Sequence, residues 1–425
     1  MENKDFSSAD TGSKEYPHAK EARSFIKRII DTHGPRLPGS QEEWDAVTEI
    51  KTDFEKATGS DCAREEFTVH PNASIGAIPY CGYAGILATA VYFVNEWAAF
   101  AMFIAITTFA IAQIFFYRNW FNFLFPKAKS SNLYSSIDGG DKIDYTIVFS
   151  AHPDTSWNWN LALKKPTLMI VKLLFGVAGL FVMDALALAR GITGHGISQL
   201  YTFGSAWDYI FFIVPIVFFP GFLWISNYLS HDKKIASPGA MDNLSGIAMC
   251  LAMANYYREN PEKLPKNCRI TIAAMGSEEA GLKGSEAFMK AHAGDKEMLI
   301  NPYFLNLDSF RDDEHFGCVK GDIWQLTHFT DELLDMAAAS MTEIGVKPHF
   351  IYNPVGGCDS TPIVRKGYKT ITLCAQNPTA TTYYHTKNDR EEDLSDFSLE
   401  KAYELLLNLS DKIHKIEADG KGLYK

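Results

Sequence analysis

Nowhere in this chain do two cysteines stand two residues apart. The seven cysteines (62, 81, 250, 268, 318, 358 and 374) are scattered and odd in number, which speaks for reduced thiols in a reducing compartment. The opening stretch, MENKDFSSADTGSKEYPHAKEAR, has no basic start followed by an apolar core, so no secretory signal peptide is expected. Positive charge is in deficit. Lys and Arg number 40 against 51 Asp and Glu, a net charge of −11, which argues against a general nucleic-acid binder because phosphate is repelled. Internal repeats and low-complexity tracts are also missing. Apolar residues are not scarce: 47% of the chain is hydrophobic and 21% charged, which excludes a mostly disordered or collagen-like protein. A length of 425 residues allows two or three domains, or one large α/β domain.

The apolar residues are unevenly spread. They gather in two close pairs of runs: Ile78–Val94 with Trp97–Tyr117, and Pro166–Ala189 with Ala206–Ser226. A membrane-spanning helix needs roughly 17–25 such residues. Trp97–Tyr117 and Ala206–Ser226 meet this without a central charge, although Pro215 and Pro220 are expected to kink the latter. Ile78–Val94 is short, and Pro166–Ala189 carries Lys172 and Asp184. Buried hairpins or a dimer interface of a soluble protein are the competing reading. The length of the runs and their terminal aromatics favour contact with a lipid bilayer. The polar flanks carry Arg118, Lys127, Lys129, Lys164, Lys165, Lys233 and Lys234, whereas the two connecting turns carry only Arg190. The positive-inside bias then predicts a multi-pass membrane protein with its polar mass in the cytoplasm.

Removing the hairpins 78–117 and 166–229 leaves three polar pieces: 1–77, 118–165 and 230–425. Two hairpins make an even number of crossings, so the pieces can fold together as one discontinuous domain. The first reads as helix, turn, helix and strand. In the others, DYTIVFSAH, CRITIAAMGSEE, PYFLNLDSF and YKTITLCA read as buried strands, and SGIAMCLAMANYYREN as a helix. Strands alternating with helices predict an α/β domain with a largely parallel sheet.

Ligand groups of such sheets lie beyond the carboxyl ends of the strands. Those ends deliver His152 and Asp154, then Glu278 and Glu279, then Asp308. A loop before a helix delivers Asp242, and a late loop delivers His385. One such residue alone is more often a satisfied core histidine or a solvated acid. Gathered in one crevice, carboxylates repel one another unless a cation neutralises them. A mixed His/Asp/Glu set suits zinc or a similar divalent metal.

The strings SAHPDTS, SPGAMDNLSG, MGSEEAGLKGSEAF, NLDS and YYHTKNDREEDLS follow one another in that order, after an early RLPGS turn. They resemble the successive motifs of the co-catalytic di-zinc exopeptidases, the family of bacterial leucyl aminopeptidases and glutamate carboxypeptidase. The resemblance covers the polar pieces; the hairpins are not part of the usual pattern. It implies a three-layer α/β/α zinc-peptidase domain and two Zn²⁺ ions. His152 and Asp308 would bind one ion, Glu279 and His385 the other, and Asp242 both. Glu278 would be the general base toward a hydroxide held between them, Asp154 would orient His152, and Tyr384 would hydrogen-bond the oxyanion. It also implies a cis peptide at Asp242-Asn243. Met241 departs from the pattern, since many relatives carry an acid there, and the wording of Gly356–Ser360 diverges from the corresponding specificity loop.

The leading expectation is a membrane-anchored aminopeptidase acting on peptides, with the bilayer as a partner, no nucleic acid, and a homo-oligomer left open. The alternatives are a carboxypeptidase using Arg311, Arg365 or Lys366 to clamp a carboxylate, a single-zinc glutaminyl cyclase, and a non-catalytic membrane scaffold. The acids Asp389–Asp393 and Asp312–Glu314 are expected to be solvated, with Asp389 close to the His385 loop.

Overall fold

The β-branched runs become strands of one sheet. The computed structural model describes residues 16–227, 235–377 and 383–424. Its eight strands are β1 (Ala63–Val69), β2 (Ala128–Asp138), β3 (Tyr145–Ala151), β4 (Cys268–Ala274), β5 (Pro302–Phe310), β6 (Phe316–Asp322), β7 (His349–Asn353) and β8 (Lys369–Ala375). They lie in the order β1-β2-β4-β3-β5-β8-β6-β7. The central strands β4, β3, β5 and β8 are parallel, while β2 and β6 run against their neighbours β4 and β8. The fold is therefore a mixed α/β fold with a mostly parallel sheet. All seven residues of β3 are buried, as a strand covered on both faces requires.

The helices follow in chain order: α1 (Pro17–His33), α2 (Gln41–Thr58), α3 (Ile78–Tyr92), α4 (Glu96–Phe109), α5 (Asn160–Lys164), α6 (Pro166–Ile192), α7 (Ile197–Leu200), α8 (Ala206–Ser226), α9 (Ser245–Glu259), α10 (Lys283–His292), α11 (Asp331–Glu343), α12 (Ser360–Arg365) and α13 (Asp396–Ala418). One face of the sheet packs against α1, α2, α9, α11 and α13, which share a core with Ile147, Phe149, Ile272 and Leu305. On the other face Phe288 of α10 and Ile363 of α12 pack on Val148, Ala273 and Phe304.

The sequence reading omitted three strands. In β2, AKSSNLYSSID, the buried positions other than Leu133 are polar and are tolerated because they find partners. Ser130 donates to Glu43 at 3.0 Å, the Asn132 amide donates to the Gly284 carbonyl at 2.9 Å, and the Ser135 and Thr58 hydroxyls lie 2.8 Å apart. The short strands β6 and β7 form one end of the sheet.

The four apolar runs are helices, and α3, α4, α6 and α8 share a core of their own. Among the described residues these four are long and apolar enough to cross a membrane, counting the single-turn lead into α3 from Ile75 and the π-helical extension of α4 to Phe115. Gly82 sets how closely two of them approach. A Cβ there would stand 2.3 Å from the Ser226 backbone nitrogen, so only glycine lets α3 meet α8 at this distance. The charges inside α6 are accounted for. Thr107 of α4 donates to Asp184 at 2.7 Å, and the Lys172 ammonium lies 5.1 Å from the Trp224 ring centre. Fully buried Arg190 donates to the backbone carbonyls of Tyr92 and His195. Helix α8 runs on through Pro215 and Pro220. The second hairpin leaves and rejoins the polar part at a narrow neck, where Trp157 and Ala236 form an antiparallel bridge. Lys233, Lys234 and most of the polar N-terminal stretch lie outside the described residues.

His414 of α13 bridges the sheet and α9. Its Nδ1 is 2.8 Å from the Tyr145 hydroxyl and its Nε2 is 3.0 Å from that of Tyr257. Burial lowers the imidazole to about 4. An unfolded histidine takes up its proton near pH 6.5, so the stabilisation is complete above that pH and is lost as the pH falls toward 4, by roughly 3 kcal/mol in all. Urea unfolding in detergent between pH 7.5 and 4.5 should show this decline in the native chain, and a clearly shallower one in His414→Gln.

Candidate metal centre

Three adjacent parallel strands end at one crevice. Beyond β3 stand His152 and Asp154, beyond β4 stand Glu278 and Glu279, and Asp308 lies within β5. A bulge between Leu307 and Phe310 shifts the β5 register against β8, and such irregularities re-aim side chains. Asp242 precedes α9, and its peptide bond to Asn243 is cis. A Cβ at Gly246 would meet the Leu307 carbonyl at 2.5 Å, so glycine lets the start of α9 press against β5. Ser277, Ser309 and His385 all have positive φ, between 52° and 69°. Left-handed residues other than glycine at three adjoining positions mark a place where geometry is held at a cost.

These elements bring the expected residues together. His152, Asp242 and Asp308 each offer a ligand atom within 4.8 Å of the others, and so do Asp242, Glu279 and His385; Asp242 belongs to both groups. His152 Nε2 is 3.2 Å from Asp242 Oδ1. His385 Nε2 is 3.1 Å from Asp242 Oδ2 and 2.9 Å from Glu279 Oε1. Yet neither of those two buried oxygens has a hydrogen-bond partner among the described residues. Their lone pairs converge on common ground instead of on a donor, and this donor set of imidazole and carboxylate fits zinc. Glu278 belongs to neither group but lines the same cavity, as does Tyr384, whose ring stacks on His385 with centres 3.8 Å apart.

The electrostatics follow from crowding. Burial raises Glu278 well above the ordinary carboxyl value, against the pull of His152. Burial and neighbouring Asp242 raise Asp308. Burial alone would lower His385, but Glu279 and Asp242 bring it up to about 10.

The supports were less visible in the sequence. Asp154 accepts from the backbone N–H of Glu278 and of Glu279, each at 3.0 Å, and its Oδ1 lies 3.4 Å from His152 Nδ1. Glu43, in the PGSQEE stretch, is buried beneath them and accepts from the Ser277 N–H at 2.7 Å and from the Ser277 and Ser130 hydroxyls. Burial, with Asp154 nearby, pushes it up to about 8. Arg36 of the RLPGS turn is wholly buried and donates to the carbonyls of Gly34, Pro153, Pro238 and Gly239. Asp389 is buried, contrary to the expected solvated patch. Its carboxylate accepts from the N–H groups of Met241 and Asp242 at 2.7 and 3.1 Å and so shapes the Asp242 turn. Asp312, also expected in water, accepts from the Tyr383 hydroxyl at 2.6 Å. Asp359, in the divergent Gly356–Ser360 segment, is buried, and neither oxygen has a hydrogen-bond partner among the described residues. Burial pushes it up to about 7.

The cavity over the cluster has a volume of about 460 Å³. Arg311 lies over the Tyr383 ring, and Arg365 donates to Gln325. Among the described residues no Arg or Lys lines the cavity.

Residues 228–410 match the model of peptidase family M28. The resemblance read from the motifs holds, and the chain is identified as a relative of zinc-dependent metallopeptidases. Aminopeptidase YwaD of Bacillus subtilis is 26% identical over 185 residues, covering 41% of this chain and 38% of that protein. The chain thus matches well under half the length of this curated relative. A zinc aminopeptidase from Bacillus subtilis shares the fold at 15% identity with a TM-score of 0.55, covering 94% of this chain and 96% of that one. A glutaminyl cyclase from an Acidobacteriales bacterium does so at 16% identity and a TM-score of 0.53, covering 96% and 98%.

Lys283 joins this crevice to the first hairpin. Its buried ammonium donates to the Tyr117 carbonyl at 2.8 Å, to Asn119 at 2.9 Å and to Glu286 at 3.0 Å. Lys283→Met keeps the stem but removes these three hydrogen bonds, so a loss of roughly 1–3 kcal/mol is expected in urea unfolding.

Proposed function

We propose that this chain is a membrane-anchored di-zinc aminopeptidase. The observation that carries the reading is that Asp242 is common to two triads of ligand atoms, with Glu278 beside both and in neither. His152 and Asp308 would hold one zinc ion, Glu279 and His385 the second, and Asp242 would bridge them. When bound, the ions lower the pKa of water and polarise the substrate carbonyl. Glu278, a better proton acceptor for its burial, takes the proton of the attacking water at its carboxylate and hands it to the leaving amine nitrogen. Asp154 fixes the His152 ring and, through two backbone N–H groups, the positions of Glu278 and Glu279. Tyr384 stands at the cavity to donate to the developing oxyanion.

An aminopeptidase is favoured over a carboxypeptidase because, among the described residues, no Arg or Lys of the cavity lining meets a terminal carboxylate. The name of the Bacillus subtilis relative points the same way. A glutaminyl cyclase remains the second reading on fold alone. Zinc content and turnover decide between these. The purified chain should hold two zinc ions by elemental analysis and release the first residue of a peptide. Glu278→Gln should keep both ions while losing roughly 100- to 10,000-fold in kcat. One ion per chain, with cyclisation of N-terminal glutamine, would select the second reading.

The domain reading is of one discontinuous peptidase domain, residues 1–77, 118–165 and 230–425, with hairpins 78–117 and 166–229 set in the bilayer. It is supported by the apolar side chains exposed along the four helices, among them Leu87, Ile104, Val171, Phe181, Ile213 and Val217. The Lys and Arg residues of the flanks favour a cytoplasmic catalytic part. An alkaline carbonate wash of membranes should leave the chain in the pellet; recovery in the supernatant would overturn the bilayer reading.

A further inference from the structure

The cavity above the acid–imidazole cluster has a second wall of different chemistry. It is made from the ends of the apolar helices: Ile75 and Ile78 at the start of α3, Ile114 in the extension of α4, and Met169, Ile170 and Leu173 in the first two turns of α6. Ile170 lines the cavity and is 39% exposed. Its neighbours Leu168, Val171 and Leu174 are exposed beside it. Those three do not line the cavity, so the first turns of α6 carry cavity-lining and exposed apolar residues side by side. Lys164 and Lys165, both exposed, come just before this turn, as cations at the level of lipid headgroups do.

From this juxtaposition we propose that the natural substrates are peptides whose apolar N-terminal segment is dissolved in the bilayer, and that this segment reaches the cluster past Ile170 without crossing water. The proposal rests on the aminopeptidase and bilayer readings above. Its physical basis is the cost of transfer. Bringing a Leu- or Phe-sized side chain from an apolar phase into water is unfavourable, and an aqueous entrance would impose this on every apolar residue presented. A cavity whose lining adjoins the lipid-facing surface avoids it. The cavity volume of about 460 Å³ is ample for one or two large apolar side chains. The reaction is ordinary hydrolysis: the C–N bond of the first peptide breaks, water supplies OH to the carbonyl carbon, and its proton goes to the departing nitrogen.

The test uses the full chain in phosphatidylcholine vesicles and two peptides sharing one apolar N-terminal sequence. One bears a C-terminal hexadecyl amide that holds it in the bilayer; the other bears an oligolysine tail that keeps it in water. The anchored peptide should be cleaved with kcat/KM at least tenfold higher, and its rate should follow its mole fraction in lipid, not its bulk concentration. Ile170→Asn should reduce the anchored-to-soluble rate ratio at least fivefold. Val171→Asn, equally polar on the same turn but off the cavity, should leave that ratio within twofold. Equal rates on the two peptides, a rate set by bulk concentration, or equal effects of the two variants would overturn the proposal while leaving the peptidase reading intact. No release of the first residue from either peptide, nor from leucine arylamide, would overturn the peptidase reading and this proposal with it.

Discussion

Carboxylates packed at close quarters and shut off from water repel one another, and each loses its hydration. Asp242, Glu279, Asp308, Glu278, Asp359 and Asp154 all meet at the ends of three neighbouring strands. The surroundings offset that cost group by group. Asp154 is held by two backbone N–H groups, Asp389 by two more, and Asp242 lies between two imidazoles. The lone pairs left over face a common space, and a divalent cation is the species that neutralises such a set. The left-handed backbone at Ser277, Ser309 and His385, the buried Arg36 and the buried Glu43 all serve to hold this arrangement.

That these residues come together was legible in the sequence for a topological reason. His152, Glu278, Glu279 and Asp308 each follow or lie toward the end of a largely apolar run, and parallel strands end on the same side. The hairpins were legible from length and composition. What escaped were contacts between residues distant in sequence. Nothing local marks Asp389 as buried beneath Met241, Glu43 as the support of Ser277, or Lys283 as the link to Tyr117. Strand β2 escaped because its serines and asparagine are buried only by virtue of partners on α2, α10 and β4, which a period-two pattern of hydrophobicity cannot register.

The hairpins and the sheet are more than neighbours. Tyr117, where the first hairpin ends, receives the Lys283 ammonium, and Phe115 receives the Gln325 amide. Trp159, just before the second hairpin, stands edge-on to the His385 ring with centres 4.4 Å apart. A shift of either hairpin relative to the sheet would therefore be felt at Glu278 and His385, because packed interiors transmit displacement instead of absorbing it.

The order of the strands in the sheet, set against their order along the chain, bears on how the protein is made. Strand β3, buried along its whole length, is synthesised before the second hairpin, whereas its two sheet neighbours, β4 and β5, follow it. During translation this strand has both edges open until the ribosome has passed α8. The sheet can close around β3 only after the two long apolar helices α6 and α8 have been made, so its open edges stay available for wrong pairing through that interval.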